Sequence, residues 1–415
     1  MTDIPTADAR SAAPTRARAH VAPSAPSGPP LLPDGVPAAA IVDLDAVRDN
    51  VASLRERAGT AQVMAVVKAD AYGHGLVPCA RAALDGGATW LGTAQLAEAL
   101  ALRAAGVAAP LVSWLTVPGD RFAEALLAGV DLGISSAWAL TEVVAAARAT
   151  GVTARVHVKV DTGLARNGVP APDWLQLFAD VLRAQAEGVV AWVGLMSHLA
   201  WADAPDHPTV AAQCEAFADA VALAERLGAR LEVRHLANSA ATLMSPQTHW
   251  DLVRPGLAVY GLSPVPDLVP DPAQAGLRPA MSLLARVALL KRVPAGTGVA
   301  YGHTYTTSAA TTLALLPLGY ADGVPRHAGN TGPVSLRGAR YTVAGRVSMD
   351  QIVVDLHDPD GAGVELGDVA VLFGDGRDGG PTAEDWARAA ATISYEIVSR
   401  PGLRLPRMWV GGRDG

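Results

Sequence analysis

Of the 33 basic residues in this 415-residue chain only three are lysines, Lys68, Lys159 and Lys291, and the other 30 are arginines. Arginine fills most surface roles of lysine, but it neither forms an imine nor gives up its proton in a protein. A lysine kept against that background is a candidate for chemistry that needs an amine. Lys68 is the sharpest of the three, because it follows the wholly apolar run VMAVV, where burial lowers an ammonium pKa. A fall from about 10.4 to near 7.5 corresponds to roughly 4 kcal/mol, feasible for a buried site. Tyr72 lies four residues further on, and other polar residues end later apolar runs: Arg166, His198, Asn238 with Ser239, and Arg254. A lysine, two arginines, a histidine and a serine brought to one rim would suit an anionic ligand and imine or proton-transfer chemistry.

The elements that would bring them together are visible in the pattern. A short strand AAAIVDL leads to Asp45 as a helix N-cap and to an amphipathic helix closed by Gly59. Eight apolar runs then alternate with Ala- and Leu-rich helical stretches: QVMAVVKAD, TWLGTA, PLVSWLTV, VDLGIS, ARVHVKVDT, VVAWVGLMSH, LEVRHLANS and DLVRPGLAVYG. Apolar strands interleaved with helices form a parallel sheet covered on both faces. Eight such repeats within about 220 residues predict an α/β fold of the (β/α)8 barrel type, with its active site at the C-terminal strand ends. An open doubly wound sheet is the alternative, but no Gly-rich dinucleotide fingerprint follows the first run.

Near residue 262 the texture changes to the Pro-rich SPVPDLVPDPAQAGLRP, a domain boundary. Beyond it short β-branched runs recur and only TAEDWARAAATI reads as helix, which predicts a mainly β domain over 263–415. The barrel would occupy 36–262, with the strand 38–44 able to pack on the β domain, and the Pro- and Ala-rich residues 1–35 read as a flexible tail. A net charge of −7 without a basic block argues against nucleic acid and anionic membrane as partners. Two cysteines, Cys79 and Cys214, make no disulfide framework, and neither a secretory h-region nor a bilayer-length apolar run is present, so a cytoplasmic location is expected. His198, Asp203, Asp206 and His207 are close in sequence, but the spacing fits no metal motif, and a loop with Pro205 and Pro208 is the simpler reading.

The motifs carry a resemblance. VVKADAYGHG resembles the pyridoxal-phosphate lysine segment of alanine racemases, and KVDTGLARNG, GLMSHLA, HLANSAA, RPGLAVYG, AYGHTY, LGYADGVPR, GRVSMDQ and TISYEI follow in that family's order. The ordered set spans nearly everything from residue 36 onward. It implies a homodimer with pyridoxal 5'-phosphate as cofactor, alanine as substrate, and racemisation with two bases.

By the same resemblance, Lys68 holds the cofactor as an internal imine and acts as base on one face of Cα. Tyr301 is the second base, reaching the barrel mouth of the partner subunit from the β domain, aided by His198 and Arg254. Arg254 faces the pyridine nitrogen. A guanidinium donates without yielding its proton, so the ring stays a weaker electron sink and return of the proton to Cα is favoured over transamination. Tyr72, Ser239, Tyr395 and the amides near Gly256 and Leu257 anchor the phosphate, and Asn238 joins the cofactor-binding set. Arg166 lies on the side of the ring oxygen and substrate carboxylate, toward which Met349 offers its N–H. Lys159 matches a lysine that some family members carry as a carbamate, with pairing to Asp161 as the other reading, while Lys291 reads as surface. Ser348 stands where many relatives have Cys, and Pro255 where others have Phe, which leaves the pocket's fine shape open. The rival readings are a serine or broad-specificity racemase, a decarboxylase on the same barrel, which Arg254 disfavours, and a non-catalytic pyridoxal-phosphate carrier, which would not need Tyr301. D-alanine would feed peptidoglycan synthesis in a bacterial host.

Overall fold

The computed structural model describes residues 32–412, so most of the expected N-terminal tail lies outside the described residues. The strands are, in chain order, β1 (Ala38–Asp43), β2 (Gln62–Val66), β3 (Trp90–Thr93), β4 (Leu111–Ser113), β5 (Asp131–Ile134), β6 (Ala154–Lys159), β7 (Val190–Met196), β8 (Val233–His235) and β9 (Leu252–Val253). Later come β10 (Met281–Arg286), β11 (Leu289–Val293), β12 (Gly298–Val299), β13 (Tyr305–Thr306), β14 (Thr311–Leu316), β15 (Pro333–Leu336), β16 (Ala339–Thr342), β17 (Ile352–Asp355), β18 (Val369–Phe373) and β19 (Arg407–Val410).

β2 to β9 fall on the eight apolar runs and form one parallel sheet in the order β8-β7-β6-β5-β4-β3-β2-β9. The seam between β8 and β9 has no regular ladder. It is closed by the Asp251 N–H donating to the Arg234 carbonyl (3.1 Å), while the Asp251 carboxylate accepts from the Arg234 N–H (2.8 Å) and guanidinium (2.6 and 2.9 Å). Beyond it, the Arg254 N–H donates to the Ala237 carbonyl (2.9 Å), which ties the two strand ends at the mouth. Met64, Trp90, Val112, Val193, Val233 and Leu252 fill the interior, and a larger apolar layer seats the helices outside, as expected for a packed barrel rather than a pore.

β1 precedes the barrel but does not enter it. It pairs antiparallel with β10 and parallel with β19, inside the sheet β16-β15-β18-β10-β1-β19. The first helix, Leu44–Ala58, is capped by Asp43 rather than Asp45: the Asp43 side chain accepts from the Ala46 N–H (2.9 Å) and also pairs with Arg278. Asp45 falls in the first turn, where its charge suits the helix dipole but its backbone is already helical. Gly59 ends this helix at φ +65°. In the C-terminal region the run SLLARVALLKRV is two strands in different sheets, β10 and β11. A second helix, Ser394–Ser399, joins Ala383–Ala389 there. Among the described residues, no helix is long and apolar enough to cross a membrane.

Candidate active site

Directly after β2 the chain turns in an unusual way. Ala69, Asp70, Ala71 and Tyr72 have φ of 52°, 53°, 54° and 52°, a left-handed turn made without glycine. Each such residue costs about 1–2 kcal/mol, so the turn must be held from outside. Glu98 accepts from the Ala69 N–H (2.5 Å), and Asp70 accepts from the Leu76 N–H (2.8 Å). His74, fully buried and stacked on Tyr260, donates from Nδ1 to the carbonyls of Ala71 (3.1 Å) and Tyr72 (2.9 Å). Arg407 donates to the Gly73 carbonyl (2.6 Å) and pairs with Asp70 (3.5 Å). Burial pulls His74 down to about 4, so its ring stays neutral and keeps one tautomer.

This turn sets Lys68, half-buried, at the C-terminal end of the barrel, with Nζ 5.9 Å from the Tyr72 ring centroid. Burial first, then the charges of Arg166 and Arg254, lower its pKa against the opposing pull of Glu98. The lysine-specific expectation for Lys68 therefore has a physical cause in the fold. Lys159, at the end of β6, is buried among the same cations, and its pKa falls to about 8 through burial, Arg254, Arg166 and Lys68. Among the described residues Lys159 makes no ion pair with Asp161, whose charge only opposes the fall; Asp161 instead accepts from the N–H groups of Gly163 (2.9 Å), Leu164 (3.0 Å) and Ala165 (3.2 Å). That Asx-type turn holds the loop presenting Arg166, which is exposed. Lys291 is exposed on β11.

Arg254 is buried and held from several sides. It donates to the carbonyls of Ser197 (2.6 Å) and Leu236 (3.2 Å), to His235 Nδ1 (3.2 Å), and at 3.5 Å to His198 Nδ1. Burial lowers its pKa to about 10, which still leaves it charged at neutral pH. His198 is pulled well below its ordinary value, first by burial and then by Arg254. With Nδ1 accepting from Arg254, its Nε2 carries the proton and faces away as a donor.

The residues expected to form the phosphate cradle are arranged as follows. The Tyr72 ring centroid lies 5.1 Å from that of Tyr260 and 6.1 Å from that of Tyr395, and burial raises both the Tyr72 and Tyr395 hydroxyls, the latter to about 12. Both hydroxyls stay protonated and can donate. A Cβ at Gly256 would stand 2.2 Å from the Tyr72 hydroxyl, so any larger residue there would have to push the tyrosine aside. The Gly256 N–H, however, donates to Ser239 Oγ (2.7 Å), which also accepts from Ala258 (3.3 Å). The Ser239 hydroxyl proton and the Leu257 amide at the start of Leu257–Tyr260 are the donors left over. Asn238 caps the helix Ser239–Met244 through Oδ1 (3.1 Å to Ala241) and lines a cavity of about 330 Å3 with Leu199, Ser263, Glu384 and Tyr395.

Tyr301 and Met349 are not gathered with these groups. Tyr301 is 71% exposed, in a segment between β12 and β13 with positive φ at Ala300, Gly302 and His303. Its hydroxyl has no hydrogen-bond partner among the described residues. Met349 is 52% exposed, and its loop is pinned by the Tyr320 N–H on the Ser348 carbonyl (3.0 Å) and the Ala321 N–H on the Met349 carbonyl (3.0 Å). His207, among the dismissed metal candidates, caps Pro208–Arg226 and stacks on Trp201 at 4.1 Å.

Sequence reasoning missed Glu98, His74, His235, His157 and Asp131. A histidine inside a strand or turn reads as packed core, and a helix glutamate reads as solvated surface.

Residues 42–264 match the family model described as alanine racemase, N-terminal domain, and residues 280–409 the one described as alanine racemase, C-terminal domain. The chain is similar to the alanine racemase of Beutenbergia cavernae, 60% identical over 91% of this chain and 99% of that one. It is similar to that of Frankia casuarinae, 59% identical over 89% and 96%. Among solved structures it resembles the alanine racemase of Streptomyces lavendulae, a D-cycloserine producer, with a TM-score of 0.89 and 55% identity over 91% of this chain and 98% of that one.

Proposed function

The chain belongs to the alanine racemase family, and from that membership and the geometry of the barrel mouth we propose which residues do what. It is a pyridoxal phosphate-dependent isomerase that interconverts L- and D-alanine. The donor set fits the cofactor: an amine of lowered pKa for the aldehyde, a buried guanidinium for the ring nitrogen, and tyrosine and serine hydroxyls around the side-chain-free Gly256 for the phosphate. When bound, the cofactor supplies a sink for the electron pair left at Cα after its proton is removed.

Lys68 would hold the cofactor through its amine and, once the substrate amine has displaced it, would take or return the Cα proton on one face. Burial and the neighbouring guanidinium charges lower its pKa, which favours the neutral amine that base chemistry needs relative to an ordinary lysine. The opposite face needs a second acid/base, and we assign it to Tyr301 of a second copy of the chain. Its 71% exposure supports this, because a hydroxyl without a partner among the described residues is available to another chain. His198 Nε2–H would donate to that hydroxyl oxygen and help it ionise, since an ordinary tyrosine has a pKa of about 10. Met349, also exposed, would meet the substrate carboxylate with Arg166.

Arg254 carries the choice of reaction. It is fixed by donation to Ser197, Leu236 and His235, and no carboxylate pairs with it among the described residues. A permanent donor leaves the ring nitrogen unprotonated, which favours return of the proton over side reactions. We place the boundary between barrel and β domain near residue 262, the enzyme in the cytoplasm, and D-alanine as a precursor for peptidoglycan.

The test is incubation of the cofactor-loaded enzyme with L-alanine, and in parallel L-serine, in heavy water. D-alanine with one deuterium at Cα is expected, with serine slower. Tyr301→Phe should reduce the rate by about 10²–10⁴-fold while cofactor stays bound. Undiminished turnover in that variant would remove Tyr301 from the second-base role.

A further inference from the structure

Behind Arg254 a row of buried polar groups crosses the barrel interior. Arg254 Nη1 lies 3.2 Å from His235 Nδ1, His235 Nε2 lies 2.9 Å from His157 Nδ1, and His157 Nε2 lies 3.4 Å from Asp131 Oδ2. Both imidazoles are 0% exposed and Asp131 is 5% exposed. Asp131 is held in turn by Arg155 Nε, 3.1 Å from both carboxylate oxygens, and Arg155 reaches Glu232 at the surface (3.0 and 3.1 Å).

The barrel is shaped for this row. His157 is on β6 and His235 on β8, so the rings must meet across β7. The residue beneath them on β7 is Gly194, paired with His157 in register. A Cβ there would stand 2.2 Å from His157 Nδ1, the atom that meets His235. The ladder between β6 and β7 also slips between Val156 and His157, which re-aims the ring as such irregularities do. Trp90 closes the other side edge-on at 5.5 Å.

The chemistry of the two ends fixes every proton between them. A guanidinium only donates, so His235 Nδ1 must accept, and its proton sits on Nε2. That proton points at His157 Nδ1, which must accept, so the His157 proton sits on Nε2 and goes to Asp131, whose carboxylate only accepts. One arrangement alone satisfies all three contacts. We propose that Asp131, His157 and His235 are positioning residues, a one-way hydrogen-bond relay through the barrel core that locks the orientation of the Arg254 guanidinium toward the cofactor ring. The proposal rests on Arg254 facing that ring, but the relay itself can be tested without the cofactor.

The first experiment is nitrogen-15 NMR of histidine-labelled enzyme, with and without cofactor. His157 and His235, assigned by loss of their signals in His157→Phe and His235→Phe, are both expected as neutral Nε2–H tautomers. An Nδ1–H tautomer at either ring would overturn the relay, whatever reaction the enzyme catalyses. The second compares two variants at His157. Gln can accept from His235 through Oε1 and donate to Asp131 through Nε2, so it keeps the direction of the relay, whereas Phe keeps only the ring. His157→Phe is expected to lower kcat by about tenfold with little change in KM, and His157→Gln to recover most of that loss. Equal activity in the two variants would reduce His157 to packing and sink the proposal. A native enzyme with the expected tautomers but no racemase activity would fault the functional reading instead.

Discussion

Lys159 has a pH signature that its position makes unavoidable. Its folded pKa of about 8 lies below the ordinary 10.5, because it is buried beside Arg254, Arg166 and Lys68 with only Asp161 opposing. Between those two values the unfolded chain binds more protons than the folded one, so stability rises with pH across that window. Below pH 8 the full penalty is present, roughly 3 kcal/mol at about 1.4 kcal/mol per unit. In buffer free of carbon dioxide, Lys159→Met should therefore melt higher than the parent at pH 7, and calorimetry should show a flatter rise toward pH 10. A variant that melts lower at pH 7 would contradict this. The same lowered pKa leaves a neutral amine that can add carbon dioxide, and carbon-13 bicarbonate should give a carbamate signal that Lys159→Met loses. At this scale the sequence was most readable where residue type limits chemistry: an amine after an apolar strand, a guanidinium at a strand end. The relay histidines were unreadable because nothing local to either strand records the partner two strands away.

The element on which the proposed cofactor site rests is the left-handed turn Ala69–Tyr72 with the Gly256 segment it faces. Tyr72 is carried back over the mouth, and its hydroxyl occupies the place of a Gly256 side chain. Gly256→Ala would have to displace that hydroxyl from ring contacts with Tyr260 and Tyr395. Fluorescence titration of the cofactor-free variant should show affinity for pyridoxal phosphate reduced by about tenfold or more, with stability changed by only about 1–2 kcal/mol. Unchanged affinity would mean that Tyr72 moves freely and is not part of the cradle. Apolar periodicity made the eight barrel strands legible. It could not show this turn, since Ala, Asp and Tyr carry no signal for positive φ and the groups that hold it, Glu98, His74 and Arg407, come from elsewhere in the chain. The helix Ser394–Ser399 was missed for a simpler reason: six residues give too little periodicity to read. The N-cap falls on Asp43, whose extended backbone and Oδ1 serve the Ala46 N–H while its other oxygen pairs with Arg278, a partner more than two hundred residues away.

At the scale of the whole molecule the chain is laced together by β1, which begins it in the sheet formed otherwise by its far end. The sequence analysis allowed the strand 38–44 to pack on the β domain, and it does so, but composition alone could not give its partners β10 and β19, because an apolar strand reads the same in either sheet. The same limit applies to Tyr301: its motif suggests a functional role, but only the fold leaves it exposed and without a hydrogen-bond partner among the described residues. If Tyr301 serves the barrel of a second copy, two dead variants should repair each other. Lys68→Ala lacks the amine and Tyr301→Phe lacks the second base. In a mixed dimer, one site joins Lys68 from one chain with Tyr301 from the other and is intact, while the second site lacks both. After unfolding and refolding at equal ratio, half the dimers are mixed and each has one good site of two, so about a quarter of wild-type activity should return, as two-fold symmetry requires. If each tyrosine serves its own barrel, every site in every mixture is defective and nothing returns. Refolding each variant alone supplies the baseline, and sedimentation of the mixture confirms that dimers have formed, so a silent mixture would count against the shared site and not against assembly.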